Sequence, residues 1–175
     1  MNRLTCEIHC NRALCKISEG DLSALTVVYD CMARRMFALA LSILKSYADA
    51  EDATQDAFLK VIQSIGTYRK DGNAVAWLLS ITRNAAIDLM RKRKDSISVE
   101  TFFGDAEPSE CKDPAERLAL EEAFMSLERE DREILTLKIY GGLKFREISD
   151  QMGLPLTTLQ KRYQRALQKL KTQLR

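Results

Sequence analysis

Hydrophobic residues recur every three or four positions along most of the chain, a pattern typical of amphipathic α-helices. The first stripe predicts a helix that starts at Gly20-Asp21 and ends near Ile43. Its expected inward positions are Leu22, Leu25, Val28, Tyr29, Met32, Met36, Leu39 and Ile43. A second stripe predicts a helix from Asp49, its expected N-cap, to Ile65. After a polar loop at 66–73, a third stripe predicts a basic-ended helix over 74–94, with Trp77 as a core anchor.

The helical pattern resumes at Pro114, a residue that suits the first turn of a helix. Helices are predicted over 114–127, 130–140, 145–152 and 156–174. Their expected inward positions are Leu118, Leu120, Phe124, Leu127, Ile134, Leu135, Leu137, Ile139, Leu159, Tyr163, Ala166, Leu170 and Leu174. Gly153-Leu154-Pro155 forms a tight turn between the last two helices. A short helix, a tight turn and a basic helix together indicate a helix-turn-helix.

Only seven Gly and three Pro interrupt these stripes, and a β-sandwich or barrel needs turn residues far more often. The chain is therefore predicted to be all-α, with two small helical domains. We call 20–94 the first domain and 114–175 the second domain, with an N-terminal extension at 1–19. Between them, Asp95–Asp113 is acidic, contains Gly104 and Pro108 and has no sustained stripe, which predicts a flexible linker.

The net charge of +2 conceals two basic blocks separated by an acidic connector. Arg91-Lys92-Arg93-Lys94 closes the first block, and the stretch from Lys161 to Arg175 has basic residues and no acidic one. Cations at helix C-termini are favoured by the macrodipole, which accounts for one such run. Two matched runs favour a polyanionic partner.

Other classes of protein fit less well. The longest nearly apolar run, Met36–Leu44, is far shorter than the ~20 residues that span a bilayer. No signal-peptide core is visible at the N-terminus, so a cytoplasmic location with reduced cysteines is expected. The chain has one His, no P-loop and no paired nucleophile and base, which argues against an enzyme.

The predicted second helix has an unusual polar face. Asp52, Gln55 and Asp56 lie together on it at i, i+3 and i+4 spacing, with Leu59 and Gln63 further along. The face is either an ordinary solvated surface or a docking surface for a basic partner, and periodicity alone favours the first.

Residues 49–94 resemble region 2 of the extracytoplasmic-function (ECF) sigma factors of bacterial RNA polymerase. The resemblance is carried by DAED..Q..FLKV at Asp49–Val61, WL..I.RN.AID..R at Trp77–Arg91 and the preceding Gly20–Tyr29. It implies that Asp52, Gln55 and Asp56 dock on the β′ clamp helices of core polymerase. It also implies that the loop and third helix bind the promoter minus-ten element, capturing a flipped base. The implied DNA-facing residues are Tyr68, Arg69, Lys70, Asn73, Arg83, Asn84 and Arg91.

Residues 123–170 resemble sigma region 4, through DREIL.L and GL.F.EI...MG.P..T. On the last helix, side chains outside the apolar stripe are of types that read base edges in the major groove. These base-reading candidates for the minus-thirty-five element are Thr158, Gln160, Lys161, Gln164 and Arg165, with Arg162 and Lys169 as expected phosphate contacts. Glu128 and Thr157 depart from the family pattern, which puts the promoter sequence in doubt and leaves the fold intact.

Taken together, the resemblances identify an ECF sigma factor. They imply core RNA polymerase (β′ clamp helices and β subunit), promoter DNA and an anti-sigma factor as partners, with no cofactor. In the alternative, the chain is a LuxR-type activator that carries a similar helix-turn-helix and binds DNA directly. A regulator of that type needs a receiver or ligand-sensing domain where residues 49–94 stand.

Cys6, His9, Cys10 and Cys15 lie outside both resemblances. Four such groups make a zinc site or a redox sensor conceivable. Their spacing is not a paired CxxC pattern, and Cys is also a common small buried residue. A short preceding helix with Cys as filler is therefore the favoured interpretation, and no metal site is assigned.

Overall fold

The computed structural model describes residues 3–93 and 114–174, and within these ranges every regular element is helical. The all-α prediction is therefore confirmed. The predicted linker at 95–113 and Lys94 lie outside the described residues. The α-helices of the described ranges are α1 (Arg3–Ser18), α2 (Leu25–Leu44), α3 (Tyr47–Ser64), α4 (Ala74–Arg93), α5 (Pro114–Ser126), α6 (Arg129–Leu135), α7 (Phe145–Met152) and α8 (Leu156–Gln173).

The first domain is a bundle in which α2, α3 and α4 pack on one another, and α1, from the N-terminal extension, packs on α2. Large side chains of α2, including Met32, Met36 and Leu39, fill its centre. α3 contributes the small residues Ala53 and Ala57, which let its backbone approach the neighbouring helices closely. No helix within the described ranges combines the length and apolarity needed to cross a bilayer.

α3 begins earlier than the sequence indicates. Ser46 is extended (φ −124°, ψ 129°) and its side chain accepts a hydrogen bond from the Asp49 N–H at 3.3 Å. The prediction of Asp49 as N-cap is therefore wrong. Asp49 lies in the first turn, is buried, and forms an ion pair with Arg93 at the end of α4.

Several predicted inward side chains are exposed instead. Leu22 is 56% exposed because it lies in a 3₁₀ turn (Leu22–Ala24) that precedes α2 and breaks its helical register. Tyr29 is 57% exposed and covers the Phe58 ring, with centroids 5.2 Å apart. Ile139 lies in a π-helical turn (Thr136–Tyr140), whose extra residue per turn rotates it outward. The remaining side chains that are more exposed than predicted are Leu118, Leu120 and Leu174.

The second domain contains the predicted helix-turn-helix. α7 ends at Gly153, whose φ of 65° is left-handed, and α8 begins three residues later. Ser149 Oγ donates to the Leu154 carbonyl at 2.6 Å and fixes the turn. Phe145 of α7 packs edge-on against Tyr163 of α8, with ring centroids 5.3 Å apart.

The two domains pack against each other and share a continuous apolar core, in which Ile134, Leu137 and Ile148 join the core of the first domain. Arg132 Nε donates to the Ser42 carbonyl at 2.7 Å. We call this packing of α5–α8 onto α2–α4 the closed arrangement.

Three further contacts join the two domains. Lys45, a left-handed residue (φ 58°) that ends α2, donates from Nζ to the Met125 carbonyl at 2.7 Å. Gln151 Nε2 donates to the Ala76 carbonyl at 2.7 Å. Gly141 lies so close to α4 that a Cβ built on it would be 2.9 Å from Leu79 Cδ1.

Candidate nucleic-acid interface

α3 presents Asp52, Gln55 and Asp56 on one exposed face, as the sequence pattern predicts. Lys60 Nζ lies 3.1 Å from Asp56 Oδ2 and 3.2 Å from Asp88 Oδ2 of α4. Burial lowers the pKa of Lys60, but the two carboxylates outweigh this effect and hold the pKa above its usual value. Lys60 therefore neutralises part of the negative charge at the Asp56 end of the face.

The loop between α3 and α4 carries two exposed cations. The Arg69 side chain is 83% exposed and lies 3.7 Å from Asp71. The Lys70 side chain is 66% exposed, and its Nζ lies 3.3 Å from Glu19 Oε1. Because such exposed ion pairs contribute little free energy, both cations are available to a polyanion.

Tyr68 is held more firmly than its neighbours in the loop. Its ring packs on Trp77 with centroids 5.1 Å apart, and its hydroxyl donates to Asn11 Oδ1 of α1 at 2.9 Å. Burial, chiefly, raises the pKa of Tyr68 to about 12, so the hydroxyl remains a donor at neutral pH. Trp77 is half-buried and supports this aromatic pair, which refines its expected role as a core anchor.

One stripe of α4 continues from this aromatic pair. Trp77, Asn84 and Arg91 are spaced seven residues apart, so they lie on the same side of the helix. Asn84 and Arg91 are exposed. Four of the predicted minus-ten residues are thus exposed to solvent, namely Arg69, Lys70, Asn84 and Arg91.

Two other predicted minus-ten residues, Asn73 and Arg83, are bound by acidic side chains of the second domain. Asn73 accepts from the Ala76 N–H at 3.1 Å, which caps α4, and donates from Nδ2 to Glu147 Oε1 of α7 at 2.7 Å. Arg83 donates to Glu133 of α6 in an ion pair whose side chains are 17% and 0% exposed. In the closed arrangement, neither side chain is free for DNA.

Glu133 is the most deeply buried acid of this interface. Its burial raises the pKa of the carboxyl, and the Arg83 guanidinium opposes the shift. The contact joins residues fifty positions apart in the chain. Sequence reasoning did not identify Glu133 or Glu147 as functional residues, because the chain carries no local signal for a contact between distant helices.

α8 displays most of its predicted minus-thirty-five residues to solvent. Its buried positions are Leu159 and Ala166, and Tyr163 and Leu170 are half-buried. The exposed face carries Thr158, Gln160, Lys161, Gln164, Arg165 and Lys169.

Arg162 differs from the other α8 candidates, because its side chain is only 23% exposed. Its guanidinium lies 2.8 Å from Asp131, 2.6 Å from Glu130 and 3.1 Å from Glu128. These contacts tie α8 to the start of α6. Arg162 is thus surrounded by carboxylates rather than directed toward solvent.

Comparison with known families matches both domains. Residues 28–96 match Sigma-70 region 2, and residues 117–170 match Sigma-70 region 4. The chain is similar to the ECF RNA polymerase sigma factor SigK of Mycobacterium sp. (strain KMS), with 28% identity over 165 residues, 89% of this chain and 86% of the relative. SigK of Mycobacterium ulcerans (strain Agy99) is 27% identical over 170 residues, 92% of this chain and 91% of the relative.

A solved structure of the same kind covers most of the chain. It is the sigma factor RpoE in complex with the anti-sigma factor NepR from Bartonella quintana, with a TM-score of 0.72 and 25% identity. The similarity covers 83% of this chain and 93% of that one. The two family matches and the helix-turn-helix of α7 and α8 define a two-domain transcription factor.

Both domains match in the order and spacing of one family. The chain belongs to the sigma-70 family, and within it to the ECF RNA polymerase sigma factors. Because residues 28–96 match region 2, the LuxR-type alternative is not favoured.

Proposed function

We propose that this sigma factor binds core RNA polymerase through α3 and reads a bipartite promoter with α4 and α8. The observation that carries the proposal is the separation of these exposed surfaces. An acidic face lies on α3, and cationic and amide side chains lie on α4 and on α8. Two modules that each bind weakly gain avidity when one chain joins them.

The polymerase-docking face consists of Asp52, Gln55 and Asp56, with Leu59 beside them. Leu59 is 59% exposed, which places an apolar side chain among the acids. An apolar contact ringed by charge fits the surface of a basic partner helix, and the β′ clamp helices are the proposed partner. Asp52 is the best probe of this face, because Asp56 already has Lys60 as an ion-pair partner.

For the minus-ten element, we assign the first contacts to Arg69, Lys70, Asn84 and Arg91. Tyr68 on Trp77 supplies an aromatic surface beside them, on which an unstacked base can rest.

The second domain must move before the minus-ten surface is complete. Asn73 and Arg83 are bound to Glu147 and Glu133 in the closed arrangement. Both side chains join the proposed interface only when α6 and α7 leave α4. Promoter binding by the first domain and closure of the second domain therefore compete for the same two residues.

For the minus-thirty-five element, we assign base reading to Thr158, Gln160, Lys161, Gln164 and Arg165, and a phosphate contact to Lys169. Arg162 was expected to contact phosphate as well. Its three carboxylate partners support a different role, in which it fastens the recognition helix to α6.

An anti-sigma factor is a further proposed partner, supported by the similarity to RpoE, which was solved with one. We propose that the protein acts beside RNA polymerase in the bacterial cytoplasm. We also propose that it performs no catalytic step of its own, because the chemistry of transcription belongs to the polymerase.

Run-off transcription on fragmented genomic DNA tests the proposal. Core polymerase with this protein is expected to give discrete transcripts whose upstream sequences share two elements. Core polymerase alone and the protein alone are the controls. Retardation of DNA by the protein, without any stimulated transcript, contradicts the proposed sigma activity and supports direct DNA binding.

A further inference from the structure

Three cysteine sulfurs meet between α1 and α2. Cys6 and Cys10 are one helical turn apart on α1, and Cys31 lies opposite them on α2. The three Sγ atoms all lie within 4.8 Å of one another. Cys6 is 1% exposed, Cys10 is 0% exposed and Cys31 is half-buried. The cluster therefore has an apolar interior and one side open to solvent.

The structure rearranges the group of ligands that the sequence offered. His9 is exposed and lies outside the cluster, and Cys15 Sγ donates to Asn11 Oδ1 at 3.8 Å. Cys31, which is distant in sequence from Cys6 and Cys10, takes the place of His9 and Cys15 in the group. Among the described residues, no nitrogen or oxygen ligand belongs to the cluster.

The spacing of the sulfurs suits a single ion. Three atoms that lie within 4.8 Å of one another are all within about 2.8 Å of a common centre, and a metal–thiolate bond is ~2.3 Å long. Shifts of roughly 0.5 Å complete such a site, and ordinary side-chain rotation supplies them. Cys6 Sγ already donates to the Cys31 carbonyl at 3.5 Å, so α1 and α2 are joined at this point.

The donor set determines the kind of ion. Structural Zn²⁺ sites take four ligands in a tetrahedron, whereas this cluster offers three thiols. Thiolate ligands select Cu(I), Zn²⁺ or iron–sulfur clusters, and of these Cu(I) is the ion that is stable with three thiolates and no fourth ligand. We propose that Cys6, Cys10 and Cys31 form a three-coordinate thiolate site for a soft monovalent ion, Cu(I).

Protons leave the thiols when the ion binds. Burial, together with the two neighbouring thiols, raises the pKa of Cys10. Burial also raises the pKa of Cys31. An ion that binds here must displace the protons of Cys10 and Cys31, which favours an ion with high affinity for thiolate.

Binding at this site acts on the proposed minus-ten loop through α1. Asn11 lies one residue after Cys10, accepts from the Tyr68 hydroxyl at 2.9 Å and donates to the Lys70 carbonyl at 3.4 Å. An ion that fastens α1 to α2 therefore also steadies the support of Tyr68. The site itself stands on the cysteines alone and is independent of the proposed promoter contacts.

Anaerobic titration of the reduced full-length protein with Cu(I), in competition with a chromogenic Cu(I) chelator, tests the proposal. We expect one equivalent to bind, with a thiolate-to-copper charge-transfer band in the near ultraviolet. X-ray absorption of the complex should show three sulfur neighbours. Cys31→Ser should weaken binding at least about tenfold, because the ion then keeps only two sulfur ligands. Cys15→Ser is the matched control and should bind as the wild type does.

Thermal unfolding distinguishes a variant that has lost Cu(I) binding from one that does not fold. Cu(I) should raise the melting temperature of the wild type and of Cys15→Ser, because a ligand bound only by the folded chain stabilises it. Cys31→Ser should keep the metal-free melting temperature and lose the shift. Equal Cu(I) affinity of Cys31→Ser and the wild type overturns the proposal. So does a complex with nitrogen neighbours, or Zn²⁺ bound in preference to Cu(I).

Discussion

The Arg83–Glu133 ion pair offers the sharpest test of the closed arrangement. Arg83→Met removes the guanidinium and keeps an unbranched side chain, so it leaves the Glu133 carboxylate buried without its cation. Breaking a buried pair by removing one partner costs ~3–5 kcal/mol. Because the Arg83 side chain is still 17% exposed, we take the lower end, about 3 kcal/mol. At about 1.4 kcal/mol per factor of ten, this shifts the equilibrium roughly a hundredfold toward separated domains.

Small-angle X-ray scattering measures that separation. A compact chain of 175 residues has a radius of gyration of about 16 Å, and domain separation should raise it by several ångström. Arg91→Met is the matched control, because it makes the same substitution at an exposed position of the same helix. Its radius of gyration should equal that of the wild type.

Acidification distinguishes the buried carboxylate from other causes. The pKa of Glu133 is already raised by burial, and Arg83 opposes that shift. Loss of Arg83 therefore raises the pKa further. A raised carboxyl pKa penalises the closed arrangement above that pKa, and the penalty disappears as the pH falls below it. The variant should therefore become compact again on acidification, at a pH above the range in which ordinary carboxyl groups titrate.

A second substitution restores compactness at constant pH. Arg83→Met combined with Glu133→Leu replaces both charges by apolar groups, an exchange that is often neutral or stabilising. The double variant should therefore be compact at neutral pH. A single Arg83→Met variant that stays compact at neutral pH refutes the reasoning, and so does one that opens and ignores both acid and the second substitution.

Three further predictions address the other surfaces. Asp52→Lys should weaken binding to core polymerase at least about tenfold in a pull-down, because it places a cation against a basic partner. Arg165→Ala should weaken binding to duplex promoter DNA by ~1–3 kcal/mol and relax the preference at one upstream position, as measured by fluorescence anisotropy. Gly141→Ala should open the closed arrangement in scattering, because its Cβ would lie 2.9 Å from Leu79 Cδ1 across the interface, and the Leu137 carbonyl of its own domain, 2.6 Å away, leaves it no room to withdraw.

Each of these predictions has a control within the same chain. Glu51→Lys reverses an exposed acid about 100° around α3 from Asp52, and should leave polymerase binding unchanged. Lys171→Ala removes an exposed cation beyond the reading half of α8, and should leave base preference intact. Gly66→Ala adds a methyl group where nothing lies within 4 Å. If a control variant changes the measured property as much as its test variant does, the prediction for that surface is wrong.

Local signals in the chain were sufficient for most helix positions. The helix over 145–152 was predicted with the bounds that the structure shows, because Gly153 permits the left-handed residue that ends it. Periodicity also placed Asp52 and Arg165 on exposed faces correctly. Asp49 was misassigned because Ser46, an equally good capping residue, lies three positions earlier.

The polar contacts between distant helices were beyond the reach of periodicity. Arg83 and Arg162 both look like free cations on helix surfaces, and a basic residue in a DNA-binding protein is reasonably assigned to DNA. Their carboxylate partners lie fifty and about thirty residues away. Nothing in the local pattern tells a solvated arginine from one that a distant helix neutralises.

The sequence by itself determined the helices, their capping and turns, and the two sigma regions in their order. These properties depend on interactions within a few residues, such as i, i+4 neighbours, glycine conformation and side-chain caps. The tertiary structure alone decided which polar residues meet. It joined Cys31 to Cys6 and Cys10, and it closed the second domain over Asn73 and Arg83. Such contacts depend on how whole helices pack, and the energy of that packing is spread over many apolar side chains rather than recorded at the residues it brings together.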